Sequence, residues 1–205
     1  MHKTDKQLHA FLWASLAVML VWSGWSPADR FTWLLEVSPI FLISAILLSI
    51  YRYFYFSRLV CWLMWLHAVV LLVGGHYTYA EVPLFDWIRD AFHLARNHYD
   101  RVGHFMQGFV PAMISREVLL RRNVLHHRGW LVFIVTSICL AISACYELIE
   151  WAAAIFTGAR ADAFLGTQGD VWDTQWDMAM ALFGAVAALS TLGRMHDRSM
   201  KRLLQ

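Results

Sequence analysis

Six long apolar runs, separated by short polar stretches, constrain the fold of this 205-residue chain more than any other feature. The runs lie at residues 8–25, 33–51, 59–75, 102–119, 130–154 and 175–193. Each is close to the ~20 residues that a helix needs to cross about 30 Å of hydrocarbon. Charged residues make up only 16% of the chain, whereas soluble domains carry about 25%. We therefore predict an all-α, polytopic membrane protein, with six transmembrane helices in one integral domain over residues 1–205.

The run at 102–119 is the weakest of the six predicted spans. Gln107, Gly108 and Pro111 interrupt its apolar residues, so a hydropathy scan alone would miss it.

The distribution of Lys and Arg predicts the orientation of the chain. An even number of spans places both termini on one side, together with twelve of the 17 basic residues. The other side holds five: Arg30, Arg89, Arg96, Arg101 and Arg160. Because cytoplasmic loops carry the excess of Lys and Arg, both termini are predicted to be cytoplasmic. These basic residues form only short patches, which argues against a nucleic-acid partner and leaves membrane lipid as the predicted one.

Two connecting segments on the opposite side are long enough to be structured. In residues 76–101, the apolar residues Phe85, Ile88, Phe92 and Ala95 recur at helical spacing after Pro83. This pattern predicts a short amphipathic helix that lies on the membrane surface. Residues 157–174 are rich in Gly and short polar side chains, and we predict an ordered cap or a re-entrant loop there.

Acidic residues inside or beside the last three runs are the main clue to function. A charged side chain at the centre of a bilayer costs about 2.5–3.5 kcal/mol on insertion scales, so a chain that keeps several needs a reason. Helical spacing sorts these residues into stripes that also contain small residues. The stripes are Asp100, His104, Gly108 and Pro111; Ser143, Glu147, Glu150 and Ala154; and Asp173, Asp177, Ala181, Gly184 and Ala188.

We predict that the three stripes face one another and form a pocket open to the non-cytoplasmic side. Its candidate catalytic or binding residues are His104, Glu147, Glu150 and Asp177. Asp100 lies one turn before His104 and is predicted to orient its imidazole. His76, after the third run, is predicted to be a further wall residue.

The chemistry of this pocket remains open at the level of the sequence. Several carboxylates in a small pocket require either protonation or a neutralising cation, and carboxylate with imidazole suits Mg²⁺, Mn²⁺ or Ca²⁺ without excluding Zn²⁺. A shared proton would equally suit acid–base chemistry or proton movement. In the structural alternative, Asp173 stabilises the start of a helix and Asp170 accepts loop amide bonds. The candidate metal ligands are His104, Glu147, Glu150, Asp170, Asp173 and Asp177.

Four segments of the chain resemble a known family. GGHYTYAEVP, NHYDRVGHFMQGFVPA, SACYELIEW and FLGTQGDVWDTQWDM are similar to the YjdF-type inner-membrane proteins of bacteria, a family of unassigned function. The resemblance covers most of the chain and implies a location in the bacterial cytoplasmic membrane.

A more distant likeness is to VanZ-like membrane proteins, some of which are linked to glycopeptide antibiotic tolerance. It rests on Asp100 and Arg101 with His104, Glu147 with Glu150, and Asp177 with Gly184. Glu150 stands where those proteins carry Gln, and Ala181 where they carry Asn. The resemblance implies no agreed mechanism.

Three functional hypotheses follow. In the preferred one, the pocket binds a cation or a polar head group, and the protein acts in the metabolism of an envelope lipid or glycan precursor. In the second, the same acids relay protons in a small transporter. The lack of an inverted repeat, and of polar residues on the inner half of these helices, argues against a transporter. In the third, the protein is a non-catalytic scaffold whose acids join helices.

Overall fold

The computed structural model describes residues 3–158 and 162–203, and within these ranges the chain is helical without a β-strand. The helices are α1 (Lys3–Gly24), α2 (Arg30–Ile50), α3 (Arg58–Tyr77), α4 (Pro83–Phe92), α5 (Tyr99–Arg121), α6 (Arg128–Thr157), α7 (Asp162–Leu165) and α8 (Asp173–Leu203). A single 3₁₀ turn at Tyr79–Glu81 precedes α4. The all-α prediction is confirmed, and Arg160 lies outside the described residues.

Five helices are long and apolar enough to cross a membrane: α1, α2, α3, α6 and α8. The predicted count of six spans is not confirmed, because α5 is not one of these five. Its length of 23 residues is sufficient. Its hydropathy is lowered by the polar residues of its first half, among them Asp100, Arg101 and Gln107.

The long helices alternate in direction, which gives the bundle two distinct ends. At one end, which we call the site end, α1, α3 and α6 finish and α2, α5 and α8 begin; there the Ala28 N–H donates to the His76 carbonyl at 2.9 Å. At the other, the terminal end, the first turn of α1 meets the start of α3 through an Asp5–Arg58 ion pair at 2.6 Å.

Small residues allow α5 and α8 to approach closely. A Cβ atom on Gly108 would lie 1.7 Å from the carbonyl oxygen of Ala181, and one on Gly184 would lie 2.0 Å from that of Phe105. Ala181 and Ala188 are fully buried in the same contact. The main chains can meet only because these side chains are absent or small. The predicted packing of the stripe on α5 against the stripe on α8 is therefore confirmed, and α6 packs against both helices.

The connection between α3 and α5 contains the predicted amphipathic helix. α4 begins at Pro83 and ends at Phe92, so Ala95 lies beyond it. Phe85 packs against the ring of Tyr99 at 5.2 Å between centroids. Leu84, Trp87 and Phe92 are exposed, which suits a helix that rests on a lipid surface.

The start of α2 is fixed by a side-chain cap. The Thr32 N–H donates to Asp29 Oδ1 at 2.7 Å, which satisfies one of the free amide groups of the first turn. This bond lowers the pKa of the exposed Asp29 carboxyl below its usual value. The cap therefore sets where α2 enters the bundle beside the C-terminal end of α3.

A buried polar cluster holds the terminal end together. Glu117 of α5 and His196 of α8 have no solvent exposure, and His196 Nε2 lies 2.9 Å from Glu117 Oε2. Glu117 also accepts hydrogen bonds from the Ser57 N–H at 2.8 Å, the Ser57 hydroxyl at 2.6 Å and Arg121 at 2.7 Å. The expectation that these helices lack polar residues on their inner half was wrong, because Glu117 and His196 lie there, enclosed by each other and by the connection between α2 and α3 at Ser57.

Candidate functional site

α5 and α8 bring Asp100, His104 and Asp177 together near the site end. One potential ligand atom from each lies within 4.8 Å of the others. His104 Nε2 is 3.5 Å from Asp100 Oδ1 and 3.7 Å from Asp177 Oδ1. All three side chains are buried, which follows from the close approach of the two helices at Gly108 and Gly184.

α6 adds two glutamates to this cluster. Glu147 Oε1 lies 3.8 Å from His104 Nδ1, and Glu150, one turn further on, interacts electrostatically with His104. His104 Nδ1 also bonds to Gln107 Oε1 at 3.1 Å, and it must donate because that oxygen only accepts. The four candidate residues of the sequence analysis therefore lie in one place, with the imidazole at their centre.

Two arginines that the sequence analysis did not assign to the site neutralise part of its charge. Arg101 donates to Asp177, to Asp173 at 2.7 Å and to Asp170 at 3.2 Å. Arg96 also donates to Asp173 and lies 3.6 Å from Asp100 Oδ2. Asp170 and Asp173 are thus committed to ion pairs, which fits the structural alternative for these two residues.

The role of Asp170 and Asp173 as metal ligands stays a prediction. Arg96 was not assigned to the site because an arginine in a loop usually points to water. Arg101 entered only through the VanZ-like pattern, in which it follows Asp100 at the position of a Lys.

The segment before α8 is held over the cluster as the predicted ordered cap. Arg96 donates to the carbonyl oxygens of Gly166 at 3.0 Å and Thr167 at 3.1 Å. Gln168 and Asn97 exchange two hydrogen bonds of 2.9 Å. Burial lowers the pKa of the neighbouring His98, and the cationic Arg96 and Arg101 lower it further. The cap therefore carries its own polar contacts and encloses the end of the bundle.

A cavity of about 1340 Å³ adjoins this cluster. Its polar end is lined by ionisable and phenolic side chains from α2, α3, α5, α6 and the 3₁₀ turn: Glu36, His67, Tyr79, Asp100, His104, Tyr146 and Glu150. Tyr79 fits between α3 and α5 because Gly74 and Gly103 have no side chain to exclude its ring. Phe164 of α7 closes the end of the cavity, where its ring lies 6.3 Å from that of Tyr146.

Glu36 and His67 are site residues that the sequence analysis missed. Glu36 is 5% exposed and lies near the start of the run at 33–51, which was treated as a simple span. The sequence did contain a signal for Glu36, because Glu36 is a carboxylate within a predicted span, as Glu147 is. It was overlooked because its polar neighbour on the same face of α2 is the uncharged Thr32, so no second acid marked the stripe.

Several buried polar atoms of the cluster lack partners. Asp100 Oδ2, Glu147 Oε1 and His67 Nε2 form no hydrogen bond with any part of the chain that the structure describes. The carboxylates of Glu36 and Glu150 likewise accept no hydrogen bond within residues 3–158 and 162–203. Native proteins satisfy nearly all buried polar groups, and of these residues Glu36, His67, Asp100 and Glu150 line the cavity, whereas Glu147 does not.

His76 contacts a different part of the molecule. Its Nδ1 bonds to the carbonyl oxygen of Ser23 at 3.0 Å, and its ring stacks on Trp22 at 4.6 Å between centroids. These contacts tie the end of α3 to the end of α1, next to the cluster rather than inside it. Its predicted supporting role remains a prediction.

Comparison with known proteins agrees with the membrane architecture. Residues 8–198 match a family described as "Predicted membrane protein (DUF2238)". The chain is 46% identical over 188 residues to the inner membrane protein YjdF of Escherichia coli strain K12, an alignment that covers 92% of this chain and 90% of the relative. No solved structure matches. The likeness to VanZ-like proteins stays a prediction.

Proposed function

We propose, from the premise that this chain belongs to the DUF2238 family of predicted membrane proteins, that it binds the polar head group of an envelope lipid or lipid-linked precursor. The binding site is the buried cluster of Asp100, His104, Glu147, Glu150 and Asp177. The observation that carries the proposal is the set of buried carboxylate oxygens without partners beside a large cavity. A head group rich in hydrogen-bond donors would satisfy them.

We propose that α5 crosses the membrane as a sixth span. α5 packs against α3, α6 and α8, and its polar face is turned toward the cluster and not toward lipid. In this arrangement both termini are cytoplasmic and the cluster lies about one helical turn below the opposite membrane surface. A head group would then meet the acids from the side of the membrane where envelope precursors are used.

Lipid analysis of the purified protein tests this function. Organic extraction followed by mass spectrometry should recover about one polar lipid per chain from the natural protein, and much less from Glu147→Gln and Asp177→Asn. Asp90→Asn is the matched control, because Asp90 is an exposed carboxylate on α4 whose one ion pair within the described residues is with its neighbour Arg89. Equal lipid content in all four proteins would contradict the proposal.

A divalent cation at Asp100, His104 and Asp177 is the second candidate. It is favoured by the convergence of three potential ligand atoms within 4.8 Å, which suits carboxylate–imidazole coordination. It is opposed by Arg101, whose guanidinium already contacts Asp177 and lies 3.8 Å from Asp100. Metal analysis of the natural protein and Asp177→Asn tests this: equal metal content in the two would remove the cation.

A further inference from the structure

The cavity beside the acidic cluster continues as an apolar groove between α2 and α6. α2 packs on α3, while α6 packs on α5 and α8, so α3 and α5 form the floor of the groove. Its two edges carry apolar side chains that are also exposed, and they are Leu42 and Leu48 on α2, and Ile142 and Ile149 on α6. In a bilayer such an edge faces hydrocarbon, so the groove is open to a ligand that arrives sideways from the membrane.

The length of the groove fits a long apolar chain. Lining residues extend along α2 from Glu36 to Tyr51 and reach Lys6 of α1 at the terminal end. Fifteen residues of helix separate Glu36 from Tyr51, which corresponds to about 22 Å at ~1.5 Å per residue. One leaflet of hydrocarbon is only about 15 Å thick. The groove therefore holds a chain that passes the middle of the bilayer.

The charges at the polar end select the head group. Glu36 and Glu150 line the cavity and lie near enough to interact electrostatically. The two arginines nearest the cluster are already paired with Asp170, Asp173 and Asp177. Among the described residues, neither glutamate has an ion pair of its own. Two such carboxylates favour a ligand that brings a positive charge.

The polar end also offers neutral acceptors for hydrogen bonds. Pro111 lines the cavity and has no N–H to donate to the carbonyl of Gln107, one turn earlier on α5, and Gln107 also lines the cavity. Tyr79 and Tyr146 also line this space. An ammonium group has three donors and no acceptor, which matches a set of carboxylates, a free carbonyl and phenolic oxygens.

We infer that the groove binds a membrane lipid with a long apolar chain and a primary ammonium in its head group, held between Glu36 of α2 and Glu150 of α6. The inference rests on the proposed function and narrows it from polar head groups in general to amine-bearing lipids. Because the groove is open along its side, the lipid enters laterally from the bilayer.

Binding of simple amphiphiles tests the head group and the chain separately. The probes are octadecylamine, octadecanol and hexylamine, titrated against the detergent-purified chain with intrinsic tryptophan fluorescence as the readout. Octadecylamine should bind at least about thirtyfold more tightly than either of the others, because each lacks one of the two features. Similar affinity for octadecanol would overturn the ammonium assignment, and similar affinity for hexylamine would overturn the groove.

Two variants identify the residues involved. Glu36→Gln should weaken octadecylamine binding by about thirtyfold or more, whereas the exposed carboxylate variant Asp90→Asn should not. Ile149→Trp should block the groove, and Leu148→Trp is its matched control because Leu148 is also exposed on α6 but does not line the cavity. Unchanged binding in both Glu36→Gln and Ile149→Trp would overturn the inference.

The co-purified lipid content of four variants distinguishes failure of this inference from failure of the proposed function. If Glu147→Gln and Asp177→Asn lose their co-purified lipid while Glu36→Gln and Ile149→Trp keep it, the head-group site stands and the amine-lipid groove fails. If none of the four variants changes lipid content, both fail, and the cavity holds water only.

Discussion

The two ends of the bundle both contain buried acids, but the acids differ in how many hydrogen-bond partners their oxygens have. At the terminal end, Glu117 has partners for both oxygens: Ser57, Arg121 and His196. At the site end, within the described residues, Asp100 and Glu147 each keep one oxygen without a hydrogen bond, and Glu36 and Glu150 form none. Both groups are similarly buried, so burial does not explain the difference.

Under the proposed function, the contrast distinguishes polar residues that hold helices together from those that bind a ligand. A fully satisfied buried network fixes one arrangement of its helices. An unsatisfied one costs stability, and natural chains keep such groups mainly at functional sites. Substitutions in each cluster, and at the helix contact that supports both, test this contrast. A substitution at a cap outside both clusters gives a reference effect.

The α5–α8 contact supports both clusters, so its loss should have the largest effect. In Gly108→Leu the new side chain would meet the main chain of Ala181, where even a Cβ would lie at 1.7 Å. We expect a loss above about 3 kcal/mol, because backbone cannot repack as a side chain does. Thermal unfolding in detergent measures it. Gly193→Leu on α8 is the control, since nothing lies within 4 Å of its Cβ position, and an equal loss there would contradict the account.

Neutralising the terminal-end acid should have the next largest effect. Glu117→Gln keeps the size of the side chain but weakens its bonds to Arg121 and His196, and we expect destabilisation of about 2–3 kcal/mol. The same thermal unfolding assay reports it. Asp197→Asn is the matched variant, because Asp197 pairs with Arg116 at the same end with its side chain half exposed. A variant of Glu117 as stable as the natural protein would mean that this cluster is not structural.

A side-chain cap outside both clusters should have an intermediate effect. Asp29→Ala removes the bond to the Thr32 N–H and should cost about 1 kcal/mol. Because that bond lowers the pKa of Asp29, its stabilisation is present above the usual carboxyl pKa and is lost as the pH falls through the lowered value. The difference in unfolding midpoint between natural and Asp29→Ala protein should therefore shrink in acid. A constant difference would show that the carboxylate is not the cause.

Neutralising a site-end acid should have the smallest effect on stability. Glu150→Gln loses no hydrogen bond within the described residues and removes one carboxyl group from a cluster of buried acids. We expect the unfolding midpoint of the ligand-free protein to stay the same or rise. A fall as large as that of Glu117→Gln would place Glu150 with the structural residues instead.

Sequence periodicity predicted the helices and the faces of the last three long ones, but not the partners of their polar side chains. Asp100, His104, Glu147 and Asp177 were found because residues three or four apart share a face. The six-span count exceeded the five helices that hydropathy supports, since the polar residues of α5 lower its hydropathy.

Contacts between distant segments could not be predicted. Arg96 and Arg101 meet acids about 70 residues later in the chain, and Glu117 meets His196 across 79 residues. No periodicity along one helix encodes such pairs. Glu36 was missed for a related reason, because its companions at the site belong to other helices.

The most direct test of the central claim compares bound lipid in two isosteric variants, one from each end. Glu150→Gln and Glu117→Gln are purified in the same mild detergent, and the lipid extracted per folded chain is quantified by mass spectrometry. We expect that Glu150→Gln remains folded but loses its lipid, whereas the folded fraction of Glu117→Gln retains its lipid. Retention of lipid by Glu150→Gln, or its loss from Glu117→Gln alone, would contradict the account.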